Sequence, residues 1–241
     1  MIANASEITD PTSLGTILQA GGEIEIAGAL FDMDGTLVDS LNAVETAWEM
    51  WAAEYAIPAP AKNMHGRSAR AVVRLSGISE DERPQAEARL QDIEARPGQR
   101  LDSLPGASAL LSALPENRWG VVTSATRPVA YSRLKAAGLS QPTLLVTGDD
   151  VTRGKPDPEP FQQGLTELRS RGYEGVVIAL EDSIAGLTSA RAAGCFVIAI
   201  AAPQCPEALS SQAHLVVSSL EQLKLNVDAH AVYLRLTSPA S

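Results

Sequence analysis

Three aspartates fall within eight positions of FDMDGTLVDS (31–40), with no basic residue among them. Asp32 and Asp34 are two apart, so at the end of a strand they face one common space. Converging carboxylates stay ionised cheaply only beside a cation or around a shared proton. Gly35 allows the backbone to turn sharply directly after them. Oxygen-only donors at a strand end suit Mg2+, a hard cation that takes few protein ligands and keeps waters. A plain Asp-Gly turn explains this stretch equally well when it is read alone. Asp39 has no part in the pattern and reads as a surface or helix-start carboxylate.

Three further stretches place polar groups at the ends of apolar runs. VVTSAT (121–126) ends on Ser124, Ala125 and Thr126, and RGKPDPEPF (153–161) holds Lys155 between Gly154 and Pro156. VVIALEDS (176–183) ends on Glu181 and Asp182. Each has a bland reading: helix caps for the hydroxyls, a solvated lysine, a capping acid. Four such endings in one chain are hard to explain as turns.

The elements that would position them are short runs rich in Val, Ile and Leu, over 24–32, 119–124, 143–148, 175–182, 195–201 and 214–219. Continuous apolar character marks strands covered on both faces. Helical stretches over 127–137, 159–171, 184–193 and 206–212 separate them, which predicts a parallel α/β sheet with crossovers. Ligands bind beyond the carboxyl ends of such strands.

From about Leu41 to Leu104 the rhythm breaks. Leu41, Val44, Trp48, Trp51 and Tyr55 follow helical spacing, with Ser40 placed as the N-cap, and Pro97-Gly98 and Pro105-Gly106 read as reversals back to the sheet. The expected division is a loose N-terminal extension over 1–23, a discontinuous core over 24–40 and 105–225, a helical insertion over 41–104 with the Trp and Leu stripe as its own core, and a tail over 226–241.

The 241 residues are 45% hydrophobic and 20% charged, as in a globular enzyme, with a formal charge of −10. Such a surface repels phosphate backbones and anionic lipid, so the reading is no nucleic acid and no membrane partner. Cys195 and Cys205 form no disulfide framework or zinc motif, and a reducing cytoplasmic setting is the default.

Taken in order, FDMDGTLVDS, VVTSAT, GKPDPEPF and EDSIAGL resemble the four motifs of the haloacid dehalogenase-like hydrolase superfamily. The insertion directly after the first motif resembles the branch with a small helical cap. His65-Gly66, LPENRWGVVTSATR and EDSIAGLTSARAAGC resemble its sugar phosphatases, the 2-deoxyglucose-6-phosphate and glycerol-phosphate phosphatase group. The resemblance implies a three-layer Rossmann-like core and Mg2+-dependent hydrolysis of a small phosphorylated sugar or polyol. It implies Asp32 as nucleophile, Asp34 as general acid and base, and Mg2+ held by Asp32, the Asp34 carbonyl and Asp182. Glu181 would stand behind the metal, and Lys155 and Ser124 would hold the phosphoryl group beside Ala125 and Thr126. Substrate choice would fall to the cap stretch HGRSAR (65–70), with His65, Gly66 and one of Arg67 and Arg70 facing inward. A monomer is the default for the type. A β-phosphoglucomutase-like mutase and a binding module without turnover are the rival readings.

Overall fold

The computed structural model describes residues 2–3, 11–96, 101–201, 209–228 and 231–237. From the amino end, β1 (Ile2–Ala3), α1 (Pro11–Gln19) and β2 (Glu23–Ile26) precede β3 (Gly28–Phe31). The insertion follows as α2 (Leu41–Glu54), α3 (Ala69–Leu75) and α4 (Arg83–Glu94). The chain then returns through α5 (Ala107–Ala113), β4 (Trp119–Val122), α6 (Arg127–Ala136), β5 (Leu145–Val146), α7 (Glu159–Ser170) and β6 (Val177–Glu181). It ends with α8 (Ile184–Ala193), β7 (Phe196–Ile200), β8 (Leu215–Val217), β9 (Leu223–Val227) and β10 (Val232–Leu236).

Six strands form one parallel sheet in the order β5-β4-β3-β6-β7-β8. β3, β4, β6 and β7 are buried at every position, as strands covered on both faces must be. Phe31, Trp119, Leu134 and Ile198 belong to the core on one face, and Leu30, Phe161, Leu187 and Val197 to the core on the other. β3 lies between β4 and β6, so three of the motifs identified in the sequence end side by side at one rim. Cys195 is buried, and burial pushes its thiol up to about 12. An inert protonated thiol is the consequence.

The insertion has a core of its own, built from Val44, Trp48, Trp51, Val72, Leu90 and Ile93 among others. Trp51 is fully buried, and its indole N–H donates to the carbonyl of Ala86 at 2.9 Å. That bond ties α2 to α4.

Several sequence expectations are corrected. The run over 24–32 is not one strand: β2 and β3 lie in different sheets. The reason is visible in the residues, since Glu23 to Ile26 alternate half-buried and buried while Gly28 to Phe31 are buried throughout. β2 belongs to a second sheet of order β1-β2-β10-β9, in which it runs antiparallel to β10. The stretch over 1–23 is not simply a loose extension, because α1 forms and buries Leu14 and Leu18. Nor is the segment after 225 a simple tail: Val232 and Leu234 are buried where β10 closes the second sheet. The strand expected over 143–148 is only two residues long. The Pro97-Gly98 turn, Cys205 and the first three residues of the helix expected over 206–212 lie outside the described residues.

Candidate active site

Asp32 directly follows β3 and is buried. Lys155 reaches it from the loop before α7, with Nζ donating to Asp32 Oδ1 at 2.5 Å, to Glu181 Oε1 at 2.6 Å and to the carbonyl of Val122 at 3.0 Å. The ammonium thus has three acceptors and no exposure, and it lies 5.1 Å from the ring centre of Phe161. Burial opposes its charge, yet Asp32 and Glu181 outweigh burial and hold its pKa above the ordinary lysine value.

Glu181 ends β6 and is fully buried. Its second oxygen accepts from the Asp182 and Ser183 amides at 3.0 and 2.9 Å and from the Ser183 hydroxyl at 2.9 Å. With Lys155 on the other oxygen, this carboxylate is saturated. It organises the turn and the lysine.

Asp182 lies beside it, with the Thr36 hydroxyl donating to Oδ1 at 3.3 Å. Gly35 has φ +85°, and a Cβ there would strike Asp182 Oδ2, so the absent side chain lets the first and last acidic motifs meet. Oxygens of Asp32, Glu181 and Asp182 lie within 4.8 Å of one another. Burial, against Lys155 and with the push of Glu181, raises Asp32 to about 8. Burial, with Glu181 and Asp32 adding, raises Asp182 well above the usual carboxylate range. One ammonium does not balance three carboxyls, two of them buried and the third half-buried. An all-oxygen, overly negative cluster at a sheet rim fits a hard divalent cation.

Asp34 is half-buried and stands outside that cluster, lining a chamber beside Asp32. The Ser40 hydroxyl donates to its Oδ1 at 2.5 Å, and Arg133 Nη1 donates to its Oδ2 at 2.7 Å. Ser40 occupies the N-cap position of α2 but makes no side-chain cap bond, contrary to the sequence expectation. Its hydroxyl serves Asp34 instead.

Ser124 and Ala125 stand in the loop after β4, and Thr126 is the N-cap of α6. The Ser124 hydroxyl donates to the carbonyl of Gly66 at 2.7 Å, a bond between the sheet rim and the insertion. Gly66 has φ +78°, and a Cβ there would strike the Ser183 hydroxyl. The insertion therefore sits directly on the turn that carries Asp182. His65 is 16% exposed, stacks on Trp48 with centroids 5.0 Å apart, and meets Glu45 Oε1 through Nε2 at 3.0 Å. The bonds from His65, and then Lys62, hold the Glu45 carboxyl below its usual range despite some burial.

A chamber of about 40 Å³ is lined by Asp32, Asp34, Trp48, His65, Glu94 and Arg133 among others, and a cleft of about 680 Å³ adjoins it. Arg67, Ala69, Glu94, Thr123 and Ser124 line both. Arg67 Nε is buried and has no hydrogen-bond partner among the described residues. Arg70 is instead 59% exposed and pairs with Glu87 at 3.4 Å. Of the two arginines left open by the sequence, Arg67 faces the chamber.

The structure thus gathers Asp32, Lys155, Glu181 and Asp182 in one cluster, and His65, Gly66, Arg67, Ser124 and Ala125 around the adjoining chamber. Thr126 lines only the cleft. Among the residues that line the chamber or hold Asp34, Arg133 and Glu94 have no reading in the sequence, and Ser40 is read there only as a helix cap. For Arg133 a signal existed: it shares the apolar face of α6 with Val129 and Ala130, where a charged residue is out of place.

A parallel α/β sheet with acidic and basic motifs at one rim and a helical insertion after its first rim motif defines a recognised class of hydrolase. The chain belongs to the haloacid dehalogenase-like hydrolases, whose sequence profile matches residues 29–200. It is 44% identical to hexitol phosphatase A of Escherichia coli (strain K12) over 203 residues, 81% of this chain and 92% of that one. It is 32% identical to glycerol-1-phosphate phosphohydrolase 2 of Saccharomyces cerevisiae (strain ATCC 204508 / S288c) over 199 residues, 74% of this chain and 76% of that one. Among solved structures, a hydrolase from Pseudomonas syringae superposes with a TM-score of 0.68 at 25% identity, covering 78% of this chain and 92% of that one. A β-phosphoglucomutase from Clostridium difficile superposes with a TM-score of 0.68 at 22% identity, covering 83% of this chain and 93% of that one, a likeness of fold alone.

Proposed function

We propose that the protein is a magnesium-dependent phosphatase of small sugar or polyol phosphates that works through an aspartyl-phosphate on Asp32. The observation that carries this reading is the acidic cluster of Asp32, Glu181 and Asp182, whose oxygens lie within 4.8 Å of one another, with Lys155 bonded to Asp32 and Glu181. Similarity to a hexitol phosphatase and a glycerol-1-phosphate phosphohydrolase supports the substrate class.

Asp32, Asp182 and the backbone carbonyl of Asp34 would hold Mg2+, which supplies positive charge to the cluster and to the phosphoryl oxygens. Asp32 attacks phosphorus through a carboxylate oxygen, and the bond from phosphorus to the leaving alcohol breaks. Asp34 gives that alcohol its proton, then takes one from the water that splits the aspartyl-phosphate. Ser40 and Arg133 fix the direction of its carboxyl. Lys155 offsets charge on Asp32 and the phosphoryl group, Ser124 exchanges its Gly66 bond for a phosphoryl oxygen, and Arg67 lines the same chamber. Positioning and charge stabilisation then carry the rate.

The test is release of inorganic phosphate from a panel of sugar and polyol phosphates with and without magnesium. Magnesium-dependent release from polyol or hexose phosphates is expected. A purified protein inert toward the whole panel overturns the reading, and conversion of glucose 1-phosphate to glucose 6-phosphate without phosphate release would make it a mutase.

A further inference from the structure

The geometry points to Glu94, the last residue of the insertion helix α4, as the residue that selects a polyhydroxylated leaving group by accepting hydrogen bonds from its hydroxyls. This inference rests on the phosphatase reading above and goes beyond it by naming what reads the neutral half of the substrate.

Glu94 lines both the small chamber next to Asp32 and Asp34 and the large cleft outside it. It stands where the body of a phosphate ester must lie once its phosphate has reached Asp32. Its carboxyl makes no hydrogen bond or ion pair among the described residues, although Asp34 and Arg133 lie near enough to act on it electrostatically. Its position does not serve the helix. A carboxylate at a helix C-terminus meets the negative end of the backbone dipole, and no basic residue stands in that last turn to offset it.

The neighbours on α4 point the same way. Glu87, Gln91 and Glu94 are four and three residues apart, so they share one helix face, and all three line the cleft. Glu87 is occupied, accepting from Arg70 and from Gln91, both at 3.4 Å. Arg153 at the cleft is likewise paired with Asp157 and Glu159. Glu94, the innermost of the three, has no such partner. A phosphate group would be repelled by this carboxyl, so its partner is a donor without negative charge. Adjacent hydroxyls of a polyol or sugar are such donors, and one carboxylate can accept from two of them. Repulsion also sets direction: phosphate goes toward Lys155 and Asp32, the hydroxylated chain toward Glu94. Burial, opposed by Arg133 and aided by Asp34, raises the Glu94 carboxyl to about 7, and either form retains an acceptor oxygen.

The experiment compares sorbitol 6-phosphate with n-hexyl phosphate, two alkyl phosphates of equal length that differ in their hydroxyls. Wild type should prefer the first. Glu94→Ala should lower kcat/KM for sorbitol 6-phosphate by roughly 10- to 100-fold and change n-hexyl phosphate by less than about threefold. Glu94→Gln, which keeps an acceptor oxygen and the side-chain shape, should lose less than Glu94→Ala, and it carries the comparison if the alanine variant does not fold. Equal losses on both substrates, or no loss on the sorbitol ester, would overturn the assignment while leaving the phosphatase reading intact. A wild-type enzyme without preference between the two esters overturns it as well. Wild type inert on both removes the phosphatase reading itself, and this inference with it.

Discussion

Arg133 Nη1 lies 2.7 Å from Asp34 Oδ2, joining the middle of α6 to an aspartate 99 residues earlier in the chain. The guanidinium side chain is 8% exposed, so the bond is sheltered from water. Ser40 holds the other oxygen, and the two donors leave Asp34 one orientation.

If Arg133 positions the acid, its loss should depend on the leaving group. Arg133→Met is expected to lower kcat for an alkyl phosphate by about 10- to 100-fold, because a poor leaving alcohol needs its proton in the transition state. An aryl phosphate, whose phenolate leaves without help, should lose less than about threefold. Equal losses on both would reduce Arg133 to a structural role.

Asp32→Asn should abolish turnover, by at least about a thousandfold, and leave the fold intact, since an amide oxygen still accepts from Lys155. Circular dichroism and phosphate release check the two halves. Rapid quenching with labelled substrate should trap phosphate on wild type and none on the variant. Turnover near the wild-type rate would remove Asp32 as nucleophile.

The acidic cluster links metal, pH and stability. Asp32 is raised from its ordinary 3.8 to about 8 and Asp182 also lies high, so the metal-free fold binds protons that the unfolded chain releases. Their contribution to stability is present below pH 4 and is lost as the pH rises toward 8. On the proposed reading magnesium would take the place of those protons, so its stabilising effect should grow with pH. At a fixed concentration about 100 times its Kd at pH 8, Mg2+ should raise Tm by roughly 5 to 10 °C at pH 8 and by much less at pH 5, where protons compete for the site. Thermal melts with EDTA or magnesium at both pH values test this, and an equal shift at both would contradict it.

Gly66→Ala should separate the two bodies of the site. The alanine must adopt φ +78° and displace Ser183, which disturbs the seat of the insertion and the carbonyl that Ser124 contacts. We expect a loss of kcat/KM of at least about tenfold, with a melting temperature within about 5 °C of wild type, because the two cores are packed separately. A fully active variant would show that this contact is dispensable.

Some of the fold and site is legible without coordinates, and some is not. Asp32 and Asp182 each end an apolar run, and continuous apolar strands dictate a sheet whose carboxyl rim collects them. Lys155, rigid between Gly154 and Pro156, falls on the same rim, and the insertion is announced by its helical spacing. Such signals are local, a few residues long, and propensity and periodicity preserve them. What the tertiary structure decided is which distant groups touch. The division of 24–32 between two sheets depends on a partner, β10, more than 200 residues away in the chain. Arg133 on Asp34, Ser124 on Gly66 and Glu94 at the chamber arise where separate elements pack against each other. Two side chains brought together by packing have no fixed spacing in sequence, so nothing local records the pair.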